Sequence, residues 1–172
     1  MLSRQTPLPG RLFRLVCTMP HKPIDRENDP RWERLGAYIR DLMDRMGLSR
    51  YHFDLSHKPP DGPSGQVGNA EGVTAAHVYY AYGCLKCEFC FGDIFFEDYC
   101  PEEQRHAVVH EIVHVLQAGS AAHLDQLRQE DGISIAVWDI WWKTYHFISE
   151  REVDWIASLI APQYPLIDWG EL

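Results

Sequence analysis

The stretch Val108 to Leu116, VVHEIVHVL, contains an H-E-x-x-H motif formed by His110, Glu111 and His114. Residues four apart on a helix lie on one face, so the two imidazoles can bind a single cation. A tetrahedral zinc ion with three protein ligands keeps one position for water, and an adjacent carboxylate such as Glu111 can accept a proton from that water. The motif therefore predicts a zinc-dependent hydrolytic centre.

The sequence around the motif favours a buried helix. Apart from the motif residues, the stretch is apolar, and no Pro or Gly follows it before Gly119. Pro101 suits the first helical position, while Glu102 and Glu103 place negative charge at the positive end of the helix dipole. We expect the helix to begin near Pro101 and to end at Gly119. The alternative interpretation is a core helix that carries two structural histidines.

Two histidines do not complete a zinc site. The metzincin pattern needs Gly and His at the third and sixth positions after the second histidine, but here these are Gln117 and Ser120. The better candidate is Ser149 to Pro162, SEREVDWIASLIAP, where Glu150 and Asp154 are four residues apart and share a helix face. Glu150 can bind zinc, while Asp154 can hold the second nitrogen of a histidine.

This combination of motifs resembles a known group of enzymes. HEIVH followed by Glu150-x-x-x-Asp154 is similar to the pattern of the gluzincins, the thermolysin-type peptidases. More closely, EREVDWIASLIAP resembles the E-x-E-A-N/D-x-F-A-x-x-L-L-x-P segment of the small ImmA/IrrE-type peptidases of bacteria and phages. Val153 and Ile156 stand where that group prefers Ala and Phe. The resemblance covers the part of the chain from Ile94 to Pro162.

The resemblance implies a function and a fold. It implies that His110, His114 and Glu150 bind zinc, that Glu111 is the general base, and that the substrate is a protein or peptide. It also implies an α+β, zincin-like fold with a small, mostly antiparallel sheet, a backing helix, the motif helix and a C-terminal glutamate helix. A catalytically silent, zincin-like protein-binding or regulatory module is the alternative function.

Gluzincins often add a Tyr, His or Arg that supports the oxyanion. Tyr145 and His146 are candidates for this role, and each is equally acceptable as a packing residue. His106, one turn before His110, is expected to be an exposed histidine of the first turns rather than a fourth ligand.

Length and charge restrict the class of protein. With 172 residues and a net charge of -9, the chain is expected to form a single compact domain, 1–172, that does not bind nucleic acid or anionic membranes. The N-terminal segment has Arg11 and Arg14 within its most apolar part, so we expect neither a signal peptide nor a membrane span. Five cysteines without an export signal indicate a reducing compartment, and the cytoplasm is the expected location.

The N-terminal half is predicted to contain a backing helix and several strands. Asp29 can cap a helix that starts at Pro30 and ends at Gly47. Alternation predicts strands over Leu12–Thr18 and Tyr51–His57, and a loop dense in Pro and Gly follows at 58–72. The apolar residues of the backing helix recur at helical spacing: Trp32, Leu35, Ile39, Leu42, Met43 and Met46.

The most strand-like stretch runs from Val73 to Glu97 and closes in GDIFFE. By the resemblance, either Ala76–Tyr82 or Lys86–Phe91 would form the sheet edge that borders the substrate. The alternative is that both are ordinary strands of the sheet.

Four cysteines fall in or near this stretch: Cys84, Cys87, Cys90 and Cys100. Two C-x-x-C steps can hold a structural zinc or an iron–sulfur cluster if the backbone turns. In a strand, however, residues three apart face opposite sides of the sheet, and no partner C-x-x-C is present. We therefore favour reduced cysteines packed as small apolar residues, and the acidic balance disfavours a cysteine-based module that acts on nucleic acid.

After Gly119 the sequence predicts a short helix, a turn at Asp131-Gly132 and a further helix capped by Ser134. An aromatic stripe on that helix is interpreted as core, and Ser149 with Glu152 can form a capping box that starts a separate helix. The stripe comprises Trp138, Trp141, Trp142 and Tyr145. Pro162 and Pro165 are expected to end the helical region.

Overall fold

A computed structural model describes residues 29–57, 75–80, 85–129 and 135–170 of the chain. The predicted strand over 12–18 and the predicted loop over 58–72 lie outside these ranges. The elements are α1 (Pro30–Arg45), β1 (His52–His57), β2 (Ala76–Tyr80), β3 (Lys86–Phe91), α2 (Asp93–Glu97), α3 (Pro101–Gln129) and α4 (Ile135–Ile160), followed by a 3-10 turn over Ala161–Gln163. The protein is therefore a mixed α and β structure with a small sheet.

Helix α1 confirms the predicted backing helix. The side chain of Asp29 accepts a hydrogen bond of 2.9 Å from the backbone N–H of Arg31, and Pro30 occupies the first turn. Gly47 has a φ of 79°, a left-handed conformation that glycine adopts without strain after a helix C-terminus. All but one of the six apolar residues predicted to face the core are buried, and the remaining one, Met46, is partly buried against it.

The described strands form one sheet in the order β1-β3-β2. Strand β3 pairs with β1 in parallel and with β2 in antiparallel orientation. The sheet is thus mixed rather than mostly antiparallel. The pairing of β1 with β3 is non-local, because β2 comes between them in sequence and occupies the other side of β3. Local alternation predicts a strand but carries no information about such pairing.

The end of the predicted strand region is helical instead. GDIFFE forms α2, which begins after Gly92. Phe95 is fully buried and packs against Phe91 with ring centroids 4.6 Å apart, while Phe96 contacts Trp32. One helical turn lets two successive aromatic rings reach different parts of the core, whereas a strand would direct them to opposite faces of the sheet.

Helix α3 begins at Pro101 as predicted, but it does not end at Gly119. It continues to Gln129. A single glycine inside a helix costs about 1 kcal/mol relative to alanine, which the packing of a long helix can offset. Helix α3 packs along α4, and the Ser149 hydroxyl donates a hydrogen bond of 2.8 Å to Gln117 Oε1 between the two helices.

Helix α4 is continuous from Ile135 to Ile160, so the capping box at Ser149 does not start a new helix. Ser149 is buried and uses its hydroxyl in the contact with Gln117. Pro162 lies in the 3-10 turn that ends the helical region, as expected. Tyr145 is half-buried, and the three tryptophan side chains of the predicted stripe lie outside the description.

The core lies between α1, the sheet and the first half of α3. The largest fully buried side chains are Phe89, Phe91, Phe95, Leu35, Ile39, Leu42, Met43, Ile112, Val108, Val109, Val113 and Val115. Five of these belong to the motif stretch, which confirms that it forms a buried helix, although Leu116 at its end is exposed. Within the described residues, no helix has the length and apolar character needed to cross a membrane.

Candidate metal centre

Helices α3 and α4 bring three predicted ligands to one point. Nε2 of His110 lies 3.1 Å from Nε2 of His114. One carboxylate oxygen of Glu150 lies 3.4 Å from His110 Nε2, and the other lies 3.4 Å from His114 Nε2. The histidines are one turn apart on α3 and are largely buried, while Glu150 reaches them from α4 and is half-exposed. These three residues form a group able to hold a metal ion.

The separations between these atoms suit a small divalent cation. Zinc binds nitrogen and oxygen ligands at about 2.0–2.2 Å, so two ligands of a tetrahedral site lie about 3.3–3.6 Å apart. The observed triangle has sides of 3.1, 3.4 and 3.4 Å. His110 Nε2 faces both His114 and Glu150, and a single ring proton cannot serve both neighbours. A shared cation would satisfy all three atoms together.

Charge at the centre also favours a cation. Hydrogen bonds from His110 and His114 hold the pKa of Glu150 well below its usual range, so this carboxylate is ionised. Burial lowers the pKa of His110, but the hydrogen bond to Glu150 and the charges of Glu111 and Glu150 outweigh burial and raise it overall. The histidine therefore lies in a negative potential, which also attracts a metal ion.

Glu111 is a buried carboxylate beside these ligands. Its residue is 6% exposed, and Oε2 has no hydrogen-bond partner within the described part of the chain. Burial raises the pKa of Glu111 to about 7, partly offset by the two histidines and by a hydrogen bond from the backbone of Val78. Few buried carboxyl oxygens lack a partner in folded proteins, so Oε2 of Glu111 is a candidate for contact with a bound molecule.

Strand β2 borders the centre and lies at the edge of the described sheet. Gly92 donates its N–H to the carbonyl of Ala75 at 2.9 Å, so Ala75 directs its backbone groups toward β3. Alternate residues of a strand point to opposite sides, and Ala76 and Val78 therefore direct their N–H and C=O groups away from β3. Of the two predicted edge segments, the first is at the edge, whereas Lys86–Phe91 is the central strand.

A cavity of about 340 Å³ opens beside the ligands. Strand β2, Tyr99, one face of α3 and Asp154 line it, and both His110 and Glu111 reach it. Glu111, the predicted general base, thus faces a space large enough for part of a bound molecule.

Asp154 contacts a different histidine from the one expected. Its Oδ1 lies 3.1 Å from Nε2 of His106, not within hydrogen-bond distance of a zinc-ligand candidate. Possible ligand atoms of His106, His110 and Asp154 all lie within 4.8 Å of one another, so these residues form a second group able to hold a metal ion. The sequence signal for His106 is its spacing of four from His110, the same spacing as within the motif.

The structure does not bring Tyr145 to the cavity. Tyr145 is hydrogen-bonded to Ser149 and is not among the lining residues. The side chain of His146, the other candidate for oxyanion support, lies outside the description.

The cysteines form no metal group within the described residues. Cys87 and Cys90 are buried in β3 and are not in disulfide bonds, Cys100 is half-buried, and Cys84 lies outside the described ranges. Sγ of Cys90 lies 2.8 Å from the Ser56 hydroxyl on β1, while Sγ of Cys87 lies 3.8 Å from the carbonyl of His52. The two thiols are therefore packed on opposite faces of the sheet.

No protein-family model matches the chain, and no curated protein or solved structure matches it significantly. The resemblance to gluzincins therefore depends on the motif residues themselves and on the positions at which the helices hold them.

Proposed function

We propose that the chain is a zinc-dependent metallopeptidase that hydrolyses peptide bonds of a protein or peptide substrate. One observation carries the proposal: ligand atoms of His110, His114 and Glu150 lie 3.1–3.4 Å apart, and Glu111 lines the cavity that His110 also reaches. Two histidines and a glutamate are the ligand set of thermolysin-like catalytic zinc sites, which keep a position open for chemistry.

Each residue has a distinct role in this proposal. His110, His114 and Glu150 hold the cation, and zinc bound there supplies a Lewis acid that polarises a carbonyl and acidifies a water molecule. Glu111 accepts the proton of the attacking water and transfers it to the leaving amine. Its pKa of about 7 suits a group that must both take up and release a proton near neutral pH. The hydrogen bond from Val78 orients the carboxyl group.

The edge of the sheet supports a peptide as the substrate. Ala76 and the carbonyl of Val78 direct backbone groups away from β3, while the N–H of Val78 is already bound to Glu111. An extended peptide can pair with such an edge through its own backbone, which positions a peptide bond independently of the side chains.

The test is a Glu111→Gln variant. We expect it to bind one equivalent of zinc like the wild type, because Glu111 is not a ligand in this arrangement. We expect the rate of peptide hydrolysis to fall by at least about 100-fold, the contribution typical of a general base. Zinc content is measured by elemental analysis, and hydrolysis with a mixed library of unmodified peptides analysed by mass spectrometry.

Glu152→Gln is the matched control, because Glu152 is an exposed carboxylate of α4 outside the cavity. It should change neither zinc content nor rate. If the wild-type, zinc-loaded protein cleaves no peptide in the library, the peptidase proposal fails. If peptides are nevertheless bound, the catalytically silent binding module replaces it.

A further inference from the structure

The cavity beside Glu111 has an apolar floor made of small residues. Ala75 and Ala76 line it from β2, and Ala107 lines it from α3. Ala75 and Ala76 are buried, and Ala107 is partly buried against the core. Methyl groups on both walls leave a volume of about 340 Å³, which accommodates a long, unbranched side chain.

The cavity also carries two carboxylates, those of Glu103 and Asp154. Both residues are exposed, so their charges are at the solvent side of the cavity. Glu103, Ala107 and His110 are spaced four and three residues apart and share one face of α3. Asp154 approaches from α4, where it is hydrogen-bonded to His106. Asp154 also lies close to the zinc-ligand candidates, because possible ligand atoms of Asp154 and His110 are within 4.8 Å of each other.

A second observation points to a ligand in this space. Glu111 is 6% exposed, lines the cavity, and has an Oε2 atom without a hydrogen-bond partner in the described ranges. Most buried polar atoms in folded proteins have a hydrogen-bond partner, and a molecule bound in the cavity could supply one to this oxygen. The acidic residues thus border a candidate site and are not simply part of a solvated surface.

We infer that this cavity binds a lysine or arginine side chain of the substrate next to the bond that is cut. The methylene groups pack against Ala75, Ala76 and Ala107, and the cationic end is held by Glu103 and Asp154. Lys and Arg suit such a site because they cover apolar surface with their stems while their charged ends stay near water. The net charge of -9 also favours the approach of basic peptides to the protein. The inference names the substrate class of the proposed peptidase and rests on that function.

The experiment measures binding separately from cleavage. Zinc-loaded protein is immobilised and exposed to an N-acetylated random peptide library, and bound and cleaved peptides are sequenced by mass spectrometry. We expect Lys and Arg to be enriched at one position of the bound peptides. A matched pair of the best peptide, with Arg or the uncharged citrulline at that position, should differ in affinity by about fivefold, the upper end for a partly exposed ion pair.

Glu103→Gln tests the acidic side of the cavity without disturbing the helix. Glu103 accepts a hydrogen bond of 2.8 Å from the backbone N–H of Cys100 at the start of α3. Glutamine supports the same capping contact, so the variant removes charge but keeps the cap. We expect the preference for Arg over citrulline to fall by about threefold to fivefold. Glu102→Gln, an exposed neighbour outside the cavity, should leave the preference unchanged.

Each outcome has a definite meaning. No enrichment of Lys or Arg overturns the inference, as does an equal loss of preference in the Glu103 and Glu102 variants, since general surface charge would then explain it. Enrichment that requires a free amino terminus instead of N-acetylated peptides also overturns it, because the cavity would then hold a terminal ammonium group. Enrichment of Lys or Arg among bound peptides without any cleavage supports the proposed side-chain preference of the cavity but overturns the proposed hydrolysis.

Discussion

His110 and His114 are four residues apart on a helix, whereas Cys87 and Cys90 are three residues apart on a strand. Both pairs consist of good metal ligands at short spacing. The helix places the two imidazole nitrogens 3.1 Å apart. The strand directs the two thiols to opposite faces, one against His52 and the other against Ser56. Whether two ligands converge is decided by the period of the backbone that carries them.

The electrostatic environments of the two regions also favour metal binding at the helix and disfavour it at the strand. Metal ligands must be deprotonated to bind. Burial raises the pKa of the Cys87 thiol to about 11, so the thiolate is strongly disfavoured. Glu150 has a pKa well below its usual range and is ionised beside two imidazoles. The ionised carboxylate near the helix pair therefore favours a bound cation, whereas burial in the strand favours a protonated, packed thiol at Cys87.

Replacing Glu150 gives the largest effect expected from this comparison. A four-ligand zinc site supplies about 10–16 kcal/mol of binding, so one ligand contributes roughly a quarter. We expect Glu150→Ala to weaken zinc binding by at least about 100-fold, measured by competition with a chromophoric chelator. Glu152→Ala, on an exposed part of the same helix, should retain wild-type affinity.

The same measurement distinguishes the two possible metal groups. If Glu150→Ala keeps its affinity while His106→Ala loses it, the cation is bound by His106, His110 and Asp154 instead. The comparison between helix and strand would survive, because His106 and His110 are also four apart on α3. The proposed ligand set of His110, His114 and Glu150 would then be wrong.

A second prediction uses the buried carboxyl group of Glu111 in the metal-free protein. Its pKa is raised from 4.5 to about 7 by burial, so the folded state retains a proton that the unfolded state releases. Stability is fully present below about pH 4.5 and is lost as the pH rises through about 7. The shift corresponds to a loss of about 3 kcal/mol in the free energy of unfolding.

Urea unfolding of metal-free wild type and Glu111→Gln between about pH 4 and 8 measures this loss. The variant lacks the titrating group, so the difference between the two proteins reports Glu111 together with its coupling to His110, whose pKa the charge of Glu111 raises. We expect the wild type to lose about 3 kcal/mol relative to the variant across the titration. Parallel pH curves would show that Glu111 is not held in an apolar environment.

The sequence predicts well the part of the site that α3 carries, because the signals for it come from neighbouring residues. Spacing places His110 and His114 on one face, and the apolar flanks of the motif predict its burial, which the structure confirms. Asp29, Pro30 and Gly47 correctly mark the two ends of α1, because caps depend on a few neighbouring residues.

The parts that the sequence could not predict depend on distant contacts. Gly119 has the local properties of a C-cap, but packing along α4 continues the helix to Gln129. The parallel pairing of β1 with β3 follows no local signal. The contact between His106 and Asp154 joins residues 48 positions apart, and neither residue alone indicates the other. Spacing on the later helix offers Glu150 as a ligand candidate, and the family resemblance then implies that it binds the same cation as the two histidines.

The smallest effects are expected from the cysteines. Cys87→Ala and Cys90→Ala should each leave the zinc content unchanged, because the thiols lie on opposite faces of β3. Each should lower the free energy of unfolding by roughly 1 kcal/mol, as expected for a small apolar deletion in a core. Cys90→Ala should lower the free energy of unfolding more than Cys87→Ala, since the buried Ser56 hydroxyl loses a contact of 2.8 Å.

Elemental analysis measures the zinc content and urea unfolding measures the stability, and His114→Ala provides the control that loses zinc. If either cysteine variant loses one metal equivalent while His114→Ala retains it, the strand and not the helix holds the metal, and the comparison is reversed.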